Sequence, residues 1–174
     1  MIICETATLR VRHLKAEDAP FILELLNDAA FLLNIGDRNV RTLEEARKYI
    51  ETGPVASYER YGFGLDRVEL KASSVPIGLC GLLRRDSHPD VEIGFAFLPG
   101  FRGKGYGLEA ASAVMQWGIH SLGLKRIVAL TALENHSSIK LLGKLGFRLE
   151  KEIVRFTDRE SKLFAFDDSC AALS

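Results

Sequence analysis

Four glycines, Gly100, Gly103, Gly105 and Gly107, fall within eight residues, with Arg102 and Lys104 interleaved among them. The run Arg102-Gly103-Lys104-Gly105-Tyr106-Gly107 follows a strand-like segment that ends at Pro99. It opens a helical pattern in which Leu108, Ala111, Met115, Ile119 and Leu122 share one face. A strand, a glycine turn and a long helix in that order make an anion site. Glycines let the backbone approach closely, successive N–H groups point inward, and the helix N-terminus and two cations add positive charge. A phosphate or pyrophosphate is the natural guest, and a plain glycine-rich turn is the alternative. Two common glycine motifs do not fit. A Walker A loop would need Lys-Ser/Thr where Tyr106-Gly107 stands, and a dinucleotide fingerprint would need glycine where Leu108 stands.

The rest of the chain reads as a mixed α/β fold. Thr8 to His13 alternates like a half-buried strand, and Glu17-Asp18-Ala19-Pro20 then starts a helix carrying Phe21, Ile22, Leu25 and Leu26. Residues 30 to 41 connect it to a second helix, opened by a Thr42/Glu45 capping box. Tyr61 to Leu70, Val75 to Arg84 and Val91 to Leu98 read as strands joined by short turns, hence an antiparallel meander. The long helix closes at Gly123, Arg126 to Thr131 reads as a strand, and a short helix over about Ser137 to Leu145 ends at Gly146. Phe147 to Phe156 and Lys162 to Phe166 finish the sheet. Strands alternating with helices in this half imply crossover, partly parallel packing. Residues 1–174 are expected to form a single domain.

Composition narrows the function classes. Lysine plus arginine equals aspartate plus glutamate, 23 against 23, so no global field draws the chain to nucleic acid or an anionic membrane, and any anion site must be local. Cys4, Cys80 and Cys170 are far apart and outside metal or redox spacing, so they read as reduced thiols, with no metal site. The N-terminus lacks a signal-peptide pattern, and a cytoplasmic location is expected. Monomer and homodimer both remain open.

Three ordered motifs surround the turn: V-E-I-G-F-A-F-L-P-G-F-R-G-K-G-Y-G-L-E-A, then L-G-L-K-R-I, then E-N-H-S-S-I-K-L-L-G-K-L-G-F. Together they resemble the GNAT superfamily of N-acetyltransferases, and within it the RimJ/RimL branch. Arg102, Gly105 and Gly107 meet the Arg/Gln-x-x-Gly-x-Gly/Ala pattern, Asn135 and Ser138 meet Asn-x-x-Ser, and Leu145, Gly146 and Phe147 meet Leu-Gly-Phe. Several branch members carry Trp where Arg102 stands, so Arg102 follows the wider superfamily. The resemblance implies a GNAT fold with a mostly antiparallel sheet of six to seven strands flanked by about four helices. It also implies acetyl-CoA as cosubstrate and a primary-amine acceptor. That acceptor would be a protein N-terminus of the ribosomal-protein type, or a small amine such as a polyamine, amino sugar or amino acid. A non-catalytic acyl-CoA-binding module is a further alternative.

The same resemblance implies roles. The backbone of Phe97 and Leu98 would pair with the pantetheine arm, and residues Arg102, Gly103, Lys104, Gly105, Tyr106 and Gly107 would hold the pyrophosphate. Asn135 would bond the pantetheine or simply cap its helix, and Lys144 could reach a phosphate. Ser138 would protonate the departing thiolate, or only help capping. Glu92 shares a strand face with the small residues Gly94 and Ala96, which leaves room for a ligand beside a candidate base acting through water. An α-amine, with a pKa near ~8, loses its proton at neutral pH far more readily than lysine near ~10.4, so a lightly equipped site suits α-amines. Residues Phe31 to Arg38 and Ser57 to Tyr61 are expected as loops shaping the acceptor pocket. Trp117 reads as core, and His88 as a turn residue without a metal partner.

Overall fold

The computed structural model describes residues 1–168, so the reading of Cys170 lies outside the described residues. In chain order the elements are β1 (Ile2–Glu5), β2 (Leu9–His13), α1 (Ala19–Leu26), α2 (Ala29–Asn34), α3 (Leu43–Ile50), α4 (Ala56–Tyr61), β3 (Leu65–Leu70), β4 (Pro76–Leu83), β5 (Val91–Phe97), α5 (Tyr106–Leu122), β6 (Arg126–Ala132), α6 (His136–Lys144), β7 (Arg148–Val154) and β8 (Ser161–Asp167). The strands form one open eight-stranded sheet in the order β1-β2-β3-β4-β5-β6-β8-β7, antiparallel except for β5 with β6.

This is the expected mixed, mostly antiparallel architecture with three differences. There are eight strands rather than six to seven: β1 is only four residues long with exposed ends, too short for an alternation to register. There are six α-helices among the described residues rather than about four. Asp28 caps α2 by accepting from the amides of Ala30 and Phe31, inside a stretch expected as connection. Residues 57 to 61 are helix α4 rather than loop or strand; Gly62, at φ +79°, ends the helix, and β3 begins only at Leu65.

Local chemistry explains the elements that were anticipated. Thr42 Oγ1 accepts from Glu45 N at 3.2 Å and Glu45 Oε2 accepts from Thr42 N at 3.0 Å, closing the capping box of α3. Gly123, at φ +68°, ends α5. The two larger of three apolar clusters among the described residues cover the two faces of the sheet, the third being Val128, Val154, Leu163 and Ala165. On one, Ala110, Ala111, Val114 and Met115 of α5 pack on Val91, Ile93 and Phe97 of β5 and on Ile127 and Ala129 of β6. On the other, Phe21, Ile22, Leu25 and Ala46 from α1 and α3 pack on Leu79 of β4 and on Leu98. Alternation along β5 therefore sends Glu92, Gly94 and Ala96 to the α1/α3 side.

Candidate active site

β5 and β6 run parallel but hold register only at Val91↔Ile127 and Glu92↔Val128. Beyond Glu92 the strands part, leaving a wedge that opens toward their C-terminal ends. Leu98 N donates to Ile77 O at 2.9 Å. By alternation along the antiparallel ladder, the backbone groups of Ala96 and Gly94 also point to β4, and those of Phe95 and Phe97 point into the wedge. The expectation for this strand is corrected accordingly. Leu98 is committed to β4, while Phe97 faces the wedge together with Phe95, which sequence reasoning left out.

The glycine turn closes the open end of the wedge. Gly103 and Gly105 adopt φ +71° and +86°, the left-handed region that glycine tolerates, and a side chain at either would meet no atom within 4 Å. Gly105 is the N-cap of α5 and has no side chain to cap it. The first helical bond runs from Glu109 N to Gly105 O, so the amides of Tyr106, Gly107 and Leu108 precede any intrahelical partner. An uncapped helix N-terminus of this kind favours an anion. Gly107 has a packing role as well: a Cβ there would stand 2.8 Å from Leu141 Cδ1, so its absence lets α5 approach α6.

The side chains of the turn divide. Lys104 is exposed, its Nζ 5.8 Å from the centre of the Phe101 ring, and the Tyr106 ring lies 6.4 Å from the same ring. Arg102 does not extend over the turn. Its Nε donates to Phe97 O at 2.8 Å and its Nη2 to the Asp28 carboxylate. Arg102 therefore braces the end of β5 against α2, and the cation expected over the pyrophosphate is held elsewhere. On the far side of the wedge, Asn135 Oδ1 accepts from Ser138 N and from Ser137 Oγ, both at 3.2 Å, so Asn135 does cap α6. Ser138 is half-buried. Lys144 is exposed in the last turn of α6. Thr131, on the length of β6 that β5 has left, is buried and its hydroxyl has no partner.

Glu92 sits where the strands part, 4% exposed. Arg85 Nε donates to its Oε2 at 2.5 Å, and His88 Nε2 lies 3.7 Å from the same oxygen. Burial alone would push this carboxyl's pKa up, but the neighbouring His88 and the hydrogen bonds and charge of Arg85 outweigh it and hold the pKa below its ordinary value. The carboxylate is thus ionised at neutral pH. His88 is no free turn residue: it is buried against Phe156, ring centres 4.9 Å apart. Neither Arg85 nor His88 carried a local signal beyond closeness to Glu92 in sequence.

A cavity of about 320 Å³ opens on the Glu92 side of the sheet. Tyr49, Ser57 and Tyr61 form one wall, and Leu65, Leu83 and Arg84 form the other. Leu83 is the cross-strand partner of Glu92, and with Leu65 it covers the bare face of Gly94. The expectation that residues 57 to 61 shape a pocket thus fits their position, though they do so as a helix. Residues 31 to 38, expected to shape the same pocket, do not line it; Arg159, beyond β7, donates from Nη2 to Leu33 O at 2.8 Å. Among the described residues no group of three or more His, Cys, Asp or Glu could hold a metal ion, and no helix is long and apolar enough to cross a membrane.

Comparison with known proteins agrees with this geometry. Residues 8–148 match the family described as "Acetyltransferase (GNAT) domain". The chain is 31% identical to the uncharacterized N-acetyltransferase YoaA of Bacillus subtilis (strain 168) over 85% of its own length and 84% of that protein's. It is 23% identical to the spermidine N(1)-acetyltransferase of Escherichia coli (strain K12), over 84% and 76%. Its fold matches RimL, a ribosomal L7/L12 α-N-protein acetyltransferase solved with coenzyme A, at TM-score 0.82 and 18% identity over 96% and 98% of the two chains. With its parted β5–β6 pair and uncapped glycine turn, this chain belongs to the GNAT acetyltransferase family and is an acetyl-CoA-dependent N-acetyltransferase.

Proposed function

We propose that residues 1–174 act as one N-acetyltransferase domain that acetylates a primary α-amine bound on the Glu92 face of the sheet. The observation that carries this is the wedge between β5 and β6, with free amides at its mouth and a buried, ionised carboxylate at its apex. The residues present fit acetyl-CoA. Uncapped amides at Tyr106 to Leu108 suit a pyrophosphate, with Gly103 and Gly105 permitting close approach and Lys104 adding charge. The backbone N–H and C=O of Phe95 and the N–H of Phe97 suit strand-like pairing with a pantetheine amide, with Asn135 on the facing wall. Lys144 is the more remote cation. When bound, acetyl-CoA supplies an activated acyl group as a thioester.

The chain's own residues then need to orient an amine and move two protons. Glu92 takes the proton released as the amine nitrogen bonds to the acyl carbon, through a water, and Arg85 and His88 fix the carboxylate. Ser138 supplies the proton that the sulfur takes up as the carbon–sulfur bond breaks and regains one from solvent, to which Glu92 returns the proton taken from the amine. We take transfer to be direct: Cys80 is buried and Cys4 half-buried, and burial pushes both thiols up, Cys4 to about 11, so neither of the two cysteines among the described residues is an activated nucleophile.

The cavity favours a small amine. Its volume is at the lower end of pockets that enclose small ligands, roughly 300–1,000 Å³. A protein N-terminus, the acceptor named for RimL, is the second reading, supported by the shared fold. The test is release of free thiol from acetyl-CoA with amino acids, polyamines, aminoglycosides and N-terminal peptides. Tight coenzyme A binding without turnover on any amine would make the chain a binding module instead.

A further inference from the structure

Most arginines of this chain are matched. Arg10, Arg12, Arg41, Arg67, Arg85, Arg102, Arg126 and Arg155 each pair with a carboxylate. Among the described residues Arg38, Arg47, Arg60, Arg84, Arg148 and Arg159 are not matched, and two of these meet at the cavity. Arg60 and Arg84 line it, and neither has a carboxylate partner among the described residues; Arg60 lies over the Tyr61 ring at 4.9 Å. A third unpaired arginine stands near it. Arg38 is close enough to oppose, together with Arg85, the rise that burial imposes on the pKa of the lining Tyr49. On the lining itself two guanidinium groups, Arg60 and Arg84, stand against one carboxylate, Asp86.

A guanidinium without a counter-ion is a fork of donors shaped for a carboxylate. On the same side of the sheet as Glu92, such an excess attracts anions and repels polycations. Resting on the acetyltransferase reading above, we infer that the acceptor is a small amine that carries its own carboxylate, of the amino-acid type. The amine would face Glu92 and Asp86, and the carboxylate would meet the arginines. A polyamine has the wrong charge for this wall.

The experiment compares free amino acids with the same amino acids as carboxyl amides, alongside spermidine and a neutral peptide amide, at saturating acetyl-CoA. Amidation makes the amine less basic, which by itself would speed transfer; the expected result is nonetheless a loss of at least about tenfold in kcat/KM. Arg84→Gln and Arg60→Gln should shrink the acid-over-amide preference while leaving the KM for acetyl-CoA unchanged. Equal turnover of acid and amide, or better turnover of spermidine or the peptide, overturns this inference and leaves the acetyltransferase reading intact. Thiol release with none of the amines would instead sink that reading.

Discussion

Arg102 of the glycine turn reaches across to Asp28, the residue whose carboxylate also caps α2. The pair ties the mouth of the proposed pyrophosphate site to the helices on the opposite face of the sheet. Arg102 therefore shapes the turn by holding Phe97 O and Asp28 rather than by pointing its charge at a ligand. Arg102→Ala is expected to raise the KM for acetyl-CoA, and Asp28→Ala, remote in sequence, should raise it too. Asp28→Ala should also cost ~1 kcal/mol of stability through the lost cap. An unchanged KM in Asp28→Ala, measured beside thermal unfolding, would return Arg102 to direct ligand contact.

Glu92 provides a test by pH. Its folded pKa lies below its unfolded value, so its contribution to stability is complete above the unfolded carboxylate range and is lost as pH falls through the folded value. Urea midpoints of the native chain should therefore decline below about pH 4.3, and Glu92→Gln should show a shallower decline over that interval. The same variant should lose kcat on the acceptor and keep its KM for acetyl-CoA. An equal acid decline in both proteins would mean that the Arg85–Glu92 pair does not govern it.

Asn135 and Ser138 separate by what each substitution disturbs. Asn135→Ala removes the acceptor for Ser138 N and should lower stability by ~1 kcal/mol. Ser138→Ala leaves that bond in place and should lower kcat more than it changes stability or cofactor affinity. Steady-state kinetics and denaturant unfolding of both variants decide whether the α6 N-terminus is only a cap.

Gly81 and Gly107 contrast two kinds of close approach. A Cβ on Gly81 would stand 2.1 Å from Gly64 O and 2.8 Å from Leu65 Cα, both backbone atoms of the adjoining segment. Gly81→Ala should destabilise by ~2 kcal/mol or more, with Leu65 displaced from the cavity wall. At Gly107 the obstacle is the end of the Leu141 side chain, which can swing aside, so Gly107→Ala should cost less. Chemical denaturation of the two variants orders them.

Features set by neighbours in the sequence were legible before the structure. The glycine turn, the Thr42–Glu45 box and the stop at Gly123 depend on residues a few positions apart, and each lies where its pattern placed it. What escaped depends on residues brought together by folding. Arg102 finds Asp28 across 74 positions, so a cation beside glycines looked like a phosphate ligand. His88 is buried only because Phe156 folds over it. The commitment of Leu98 to β4 follows from ladder phase, which alternation in one strand cannot reveal. β1 is too short to show a period, and Asp28 caps a helix whose six residues lack a repeating apolar face.

The two-residue pairing of β5 with β6 leaves the sheet nearly severed at its middle, five strands on one side and three on the other. A pantetheine arm laid along Phe95 and Phe97 would act as a length of strand that the polypeptide itself omits. Loading the acyl donor and stitching the two halves together would then be a single event, and the rigidity of the seam would report how much donor is available.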